Sequence, residues 1–231
     1  MKVLNDLFDY NYKIYQDSDC FKFSLDSILL AEYVKCKNSD VILDMCTGNA
    51  PIPMILYSKN NTVYIDCVEI QSAIYDLAYE SINYNNIGKS IKVHHDNVCD
   101  YKTSKRYDII TCNPPYFKKD SAIVNKKSDI KAVARHELFI TLEDCFSVSK
   151  KHLKSSGKFY LVHRPERIDD ILKLCNKYKY GISRMCYIYT KENTNSKAVL
   201  VEMFNNKKNN IKVYSKNIKG LLSYKNIFEE D

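Results

Sequence analysis

The sequence predicts an α/β fold built on a mostly parallel sheet and closed at its far end by an antiparallel hairpin. Three observations carry this. From residue 40 onward, short apolar runs rich in β-branched residues alternate with segments whose apolar residues recur at helical spacing. The runs stop at glycine, proline or polar clusters. The last two runs follow one another with no helical segment between them. Strand–helix alternation gives parallel strands, and two strands joined directly give a hairpin.

The first strand is Val41-Ile42-Leu43-Asp44-Met45-Cys46, running toward Gly48. Pro51 and Pro53 then open a helix, because proline is tolerated in a first turn, and Ile52, Ile55 and Leu56 recur at helical spacing. Residues 62–70 form the second strand. Gln71 to Asn86 is a helix with Ile74, Leu77, Ala78 and Ile82 on one face. Ile91-Lys92-Val93 starts the third strand, and Tyr107 to Cys112 is the fourth, halted by Pro114 and Pro115. Leu142 to Leu153 is a helix, with Gly157 expected as its C-terminal cap. Phe159 to His163 is the fifth strand and Arg167 to Tyr178 a helix, and Ile182–Tyr189 with Ala198–Phe204 make the hairpin. Residues 117–135 read as a lysine-rich loop, and 205–231 as a basic tail with sparse apolar positions.

A chain of 231 residues supports one sizeable core, and its 45% hydrophobic and 27% charged content is that of a soluble globular protein. No apolar run approaches the roughly 20 residues needed to cross a bilayer. Asn5, Asp6 and Asp9 interrupt the N-terminus, which does not read as a signal peptide. A cytoplasmic protein is expected. The nine cysteines include no Cys-x-x-Cys pair, and Cys46, Cys67 and Cys112 lie in apolar runs, so reduced core thiols are expected and no metal. The formal net charge of +7 bears on nucleic acid only if lysines gather near a site.

Ligands of open α/β sheets bind beyond the carboxyl ends of the strands. After the first strand come Asp44, Cys46, Thr47, Gly48 and Asn49, a turn whose glycine lets backbone approach a ligand at a helix N-terminus. It is not the Gly-x-Gly-x-x-Gly phosphate cradle. The second strand ends in Glu69-Ile70, about twenty residues after Gly48, where a carboxylate accepts from ribose hydroxyls. The third strand leads to Asp96 and Asn97, placed for an adenine amino group. Together these positions point to an adenosine-containing cofactor.

Asn113-Pro114-Pro115-Tyr116 follows the fourth strand directly. An exocyclic amine on a heteroaromatic ring, or an amide, is a poor nucleophile because its lone pair is delocalised. Two acceptors aimed at its hydrogens favour tetrahedral nitrogen and stabilise the positive charge that develops there. The Asn113 side-chain oxygen and the Pro114 carbonyl are those acceptors, with proline fixing the carbonyl direction. Tyr116 offers a ring on which a base stacks.

With these residues in place the chain resembles the class I S-adenosylmethionine-dependent methyltransferases, and among them the bacterial tRNA1(Val) adenine-37 N6-methyltransferases. The resemblance rests on residues 21–31 (Phe21 to Ala31), 44–50, Val68-Glu69-Ile70-Gln71 and 111–117, with Ala134-Arg135-His136-Glu137 and Ser196-Lys197-Ala198, and spans residues 5 to about 205. It implies a Rossmann-like sheet of seven strands, helices on both faces, and a single domain. It implies an N-terminal segment, 1–39, that caps the cofactor through Phe23 and Asp26, then a core over 40–204. It also implies S-adenosyl-L-methionine as cofactor and a tRNA as partner, with adenosine 37 of tRNA-Val as target. The family pattern usually has glycine where this chain has Ala50. Lys118, Lys119, Lys126, Lys127, Lys131 and Arg135 follow the tetrapeptide and are expected to meet RNA backbone, and the tail lysines would extend that track. A flipped base in an anticodon loop need not melt a duplex. The alternatives are methylation of a protein glutamine or of a DNA or rRNA base, and a non-catalytic RNA-binding module.

Overall fold

One eight-stranded sheet organises the chain in the computed structural model, which describes residues 1–17, 23–116, 140–191, 194–205 and 211–229. The elements in chain order are β1 (Lys2–Asp6), β2 (Lys13–Asp17), α1 (Leu25–Tyr33), β3 (Val41–Met45), α2 (Pro51–Lys59), β4 (Tyr64–Glu69), α3 (Ser72–Tyr84), β5 (Ile91–His95) and β6 (Tyr107–Cys112). Then follow α4 (Leu142–His152), β7 (Leu153–His163), a 3-10 turn (Pro165–Arg167), α5 (Ile168–Tyr178), β8 (Tyr180–Tyr189), β9 (Ala198–Asn205) and β10 (Lys212–Asn217).

The sheet order is β10-β8-β9-β7-β6-β3-β4-β5. All neighbours are parallel except those of β9, which is antiparallel to both β7 and β8. The chain therefore winds outward from β3 through β4 to β5, then crosses back to lay β6 on the other side of β3. That reversal is the switch point where a crevice opens in such sheets. Alternation within the strands feeds two cores. Ile42 of β3 and Tyr160 and Val162 of β7 pack under α1, α2 and α3. Leu43, Met45, Phe159 and Leu161 face α4 and α5.

Three features differ from the sequence reading. The sheet has eight strands where seven were expected, because β10 arises inside the supposed tail and pairs in parallel with β8. Its lysines 212 and 216 sit on an exposed edge, where charge protects a strand from pairing with another chain. The tail also reaches the core: Phe228 is buried and packs edge-on against Tyr33 at 5.4 Å. Gly157 is not a helix cap but lies within β7, next to the register shift against β6. A Cβ there would stand 2.7 Å from the Leu153 side chain and 3.0 Å from the Tyr107 carbonyl, so close packing requires the glycine. Finally, β1 and β2 form a hairpin before the main sheet. It is tied to α3 where the Tyr15 N–H donates to Ser81 Oγ at 2.9 Å.

Candidate active site

The carboxyl ends of β3, β4, β5 and β6 surround a cleft of about 820 Å³, its mouth included. Of the residues picked from the sequence, Phe23, Cys46, Thr47, Gly48, Asn49, Glu69, Ile70, Asp96, Asn97 and Asn113 line it. The β3–α2 turn makes one wall. Cys46, Gly48 and Ala50 hold φ of 57°, 60° and 68°, so every second residue is left-handed. A Cβ at Gly48 would meet nothing within 4 Å, so the glycine answers to backbone conformation and faces open space. Ala50 occupies the N-cap of α2 in the same left-handed region, which favours glycine.

Glu69 closes the adjoining wall. Its carboxylate accepts from the Gly48 N–H at 2.9 Å and the Gln71 N–H at 3.0 Å, which fixes it at the β4 tip. Burial raises its pKa, and those backbone donors oppose the rise. Beside it the Gln71 Oε1 is buried without a hydrogen-bond partner. Asp96 and Asn97 are turned into the β5 loop, where Asp96 Oδ1 accepts from the Asn97 N–H at 2.8 Å.

Two expected residues lie outside the wall. Asp44 is wholly buried behind it and accepts from the hydroxyls of Thr47 and Thr111. Burial raises its carboxyl to about 7, against the pull of those two donors. The carboxylate thus braces the β3 and β6 tips from behind and does not line the cleft. Asp26 faces the tetrapeptide and not the cleft: the Tyr116 hydroxyl lies 2.8 Å from its Oδ2.

The tetrapeptide is gripped on several sides. The Asn113 Nδ2 donates to Ser27 Oγ at 2.8 Å and approaches Ser24 Oγ at 3.4 Å. Its Oδ1 is thereby turned toward Tyr116, whose hydroxyl is 2.7 Å away. Pro114 is buried, and Pro115 lines the cleft. The Tyr116 ring carries the Arg164 guanidinium at 4.9 Å and meets the His163 ring at 5.1 Å. Arg167 Nη1 reaches the Tyr116 carbonyl at 3.5 Å. Burial, with Arg164 and Arg167 close by, pushes His163 down to about 3, so the imidazole is neutral.

Sequence reading missed Ser24, Ser27, Gln71, Arg164 and Arg167. The two serines lie 86 and 89 residues from Asn113 and belong to no spaced motif with it. Lys118, Lys119, Lys126, Lys127, Lys131 and Arg135 lie outside the described residues. Of the tail lysines, Lys216 lies one residue before the end of β10, at the same sheet edge as the tetrapeptide, with β8, β9 and β7 between it and β6. At the usual strand spacing that is roughly 19 Å across the edge. Among the described residues no group of acidic, histidine or cysteine side chains is arranged to hold a metal ion, and no helix is long and apolar enough to cross a membrane.

A parallel sheet with its crevice between β3 and β6, and an Asn-Pro-Pro-Tyr loop opening on it, is the architecture of a class I methyltransferase. The family model for the methyltransferase small domain matches residues 21–174, and the chain belongs to that family. Among curated relatives, the tRNA1(Val) (adenine(37)-N6)-methyltransferase of Trichodesmium erythraeum is 31% identical over 68% of this chain and 66% of its own. The protein of the same name from Dyadobacter fermentans is 26% identical over 65% of this chain and 62% of its own. For the Flavobacteriaceae bacterium strain 3519-10 the figures are 24%, 85% and 82%. The aligned region thus spans under two thirds of the Dyadobacter relative. A predicted O-methyltransferase from Agrobacterium tumefaciens shares the fold with a TM-score of 0.66 at 16% identity, over 87% of this chain and 91% of its own. TYW2 from M. jannaschii, solved with AdoMet, gives 0.62 at 13%, over 87% and 84%.

Proposed function

We propose that this protein transfers a methyl group from S-adenosyl-L-methionine to N6 of an adenosine in tRNA, adenosine 37 in the anticodon loop of tRNA-Val, in the cytoplasm. The observation that carries the reading is Asn113 at the tip of β6, on the wall of the same cleft that Gly48 and Glu69 close from the far side. The names of the curated relatives supply the address on the tRNA.

The cleft suits the cofactor on its own features. Gly48 leaves open space before its backbone, Glu69 is a fixed carboxylate at a strand tip, and Gln71 Oε1 is a buried acceptor lacking a donor. Glu69 is placed to accept from ribose hydroxyls, Asp96 or Asn97 to meet an adenine amino group, and Phe23 and Ser27 to close the remaining end. When bound, S-adenosylmethionine supplies an electrophilic methyl group on a sulfonium.

The protein's own part is position and dipole. Asn113 Oδ1 and the Pro114 carbonyl accept from the two amine hydrogens, which favours a pyramidal nitrogen whose lone pair is available for attack. Ser24 and Ser27 hold the Asn113 amide so that its oxygen, not its nitrogen, faces that amine. Arg164 and Arg167 put two guanidinium groups beside the tetrapeptide, where they suit an RNA phosphate or the face of a base. Lys118, Lys119, Lys126, Lys127, Lys131 and Arg135 would continue that charge along the chain.

The test is methylation of purified tRNA by the wild type and by Asn113→Ala, read as N6-methyladenosine by mass spectrometry of individual tRNAs. Loss of one preorganised acceptor is expected to lower kcat by about 10²–10³. Methyl transfer to a protein glutamine or a DNA adenine, with tRNA left unmodified, would overturn the reading.

A further inference from the structure

The Tyr116 hydroxyl stands between two acceptors, 2.7 Å from Asn113 Oδ1 and 2.8 Å from Asp26 Oδ2, and it has one proton to give. Burial pushes the phenol well up, so that proton stays on the oxygen. If it goes to Asn113, it occupies the oxygen that the reading above assigns to the target amine. If it goes to Asp26, that oxygen is left for substrate. A hydrogen bond to a carboxylate is roughly twice as strong as one to a neutral amide, so an ionised Asp26 takes the proton.

We infer that Asp26 is a positioning residue for methyl transfer: by drawing the Tyr116 hydroxyl proton to itself, it clears Asn113 Oδ1 to receive the substrate amine. This rests on the reading of Asn113 as an amine acceptor. The geometry around the pair supports it. Asp26 sits in the first turn of α1, one residue from Ser27 and two from Ser24, so a single segment both aims the Asn113 amide and disposes of the competing donor. Among the described residues, Arg164 lies over the Tyr116 ring, His163 against it, and Arg167, ion-paired with Asp170, at its carbonyl. Burial raises the Asp26 carboxyl, and the Tyr116 hydroxyl and Arg164 draw it back toward the ionised form. His163 is neutral and does not compete with it. Asp26 does not line the cleft, so its effect is on the amine and not on the cofactor.

The proton count makes this testable as a double-mutant cycle. Asp26→Asn keeps the shape but removes the charge, and it should lower kcat for tRNA about tenfold. The Kd for S-adenosylmethionine by calorimetry and the KM for that cofactor should stay within about twofold. In a Tyr116→Phe background, where no hydroxyl competes, Asp26→Asn should change kcat by less than twofold. Equal losses in the two backgrounds, a cofactor Kd raised in parallel with the fall in kcat, or an inactive Tyr116→Phe enzyme would each overturn the inference. A wild type that does not methylate an amine at all fails the parent reading instead, which separates the two.

Discussion

At the scale of single residues the cofactor turn is held by conformation before chemistry. Ala50 is buried at φ 68°, ψ 37°, a region that costs an L-residue roughly 1–2 kcal/mol and glycine nothing. Glycine also gains freedom in the unfolded chain, which returns part of that difference. Ala50→Gly should therefore stabilise the protein by about 0.5–1 kcal/mol in urea unfolding, and a loss of stability would show that the turn relies on the methyl group. Asp44 makes a prediction of opposite kind. Burial raises its carboxyl to about 7 in the folded protein, against about 3.9 when unfolded. The folded state thus binds the proton more tightly, so this contribution to stability is full below pH 4, falls as the pH rises toward 7, and is flat above that. Asp44→Asn should flatten that decline between pH 4 and 7, measured by urea midpoints across the range. These single positions also show how far the site was legible. Gly48, Glu69 and Asn113 each end a strand at a spacing that strand–turn–helix units impose, so reading along the chain finds them. Ser27 and Gln71 sit in stretches that carry the family resemblance, which gives them no role, and Arg164 acts through a contact across the fold that nothing in its local sequence marks.

At the scale of elements, what an apolar pattern reveals depends on how deeply the element is buried. β3, β6 and β7 are central in the sheet, so their buried stretches, 42–45, 109–112 and 159–163, read as largely apolar runs. β10 is an exposed edge strand in which Lys212, Ser215, Lys216 and Asn217 outnumber Val213 and Tyr214, and its composition is that of a solvated tail. Gly157 follows two serines after a helix, the local signature of a cap, yet the tertiary contact with Leu153 and the Tyr107 carbonyl decides its role. The tail has one further tie to the core, through Glu32. Its Asn226 N–H donates to Glu32 Oε2 at 2.8 Å, and the other Glu32 oxygen accepts from the Tyr10 hydroxyl at 2.8 Å. Glu32 thereby joins the tail, α1 and the loop of the β1–β2 hairpin. Phe228→Ala opens a cavity beside Tyr33 and should cost about 3 kcal/mol, lowering Tm by roughly 6–12 °C in calorimetry. An unchanged Tm would mean that the tail is not anchored through this ring.

At the scale of the whole molecule, the cleft is built from segments far apart in the chain, and ligand binding is coupled to global stability through them. Phe23 comes from the N-terminal segment, Gly48 from the first crossover, Glu69 from β4, Asn97 from beyond β5 and Asn113 from β6. No one of these segments keeps the cleft when the sheet unfolds, so a ligand seated there binds only the folded state. At a hundred times its Kd such a ligand stabilises by about 2.7 kcal/mol. For a chain of 231 residues this corresponds to a rise in Tm of roughly 5–11 °C. S-adenosylmethionine should produce that shift, whereas adenosine triphosphate, whose phosphates find no Gly-x-Gly-x-x-Gly cradle here, should not. Glu69→Ala separates the fold from the site: it removes the carboxylate that fixes the Gly48 and Gln71 N–H groups, so the cofactor-dependent rise should vanish at the same ligand concentration. The basal Tm of that variant reports the loss of two buried hydrogen bonds, on the order of 1–3 kcal/mol. A variant whose basal Tm falls but whose shift survives would move the ribose contact away from Glu69 to another wall of the cleft, and the buried Gln71 amide at the mouth of the same strand is then the group to replace.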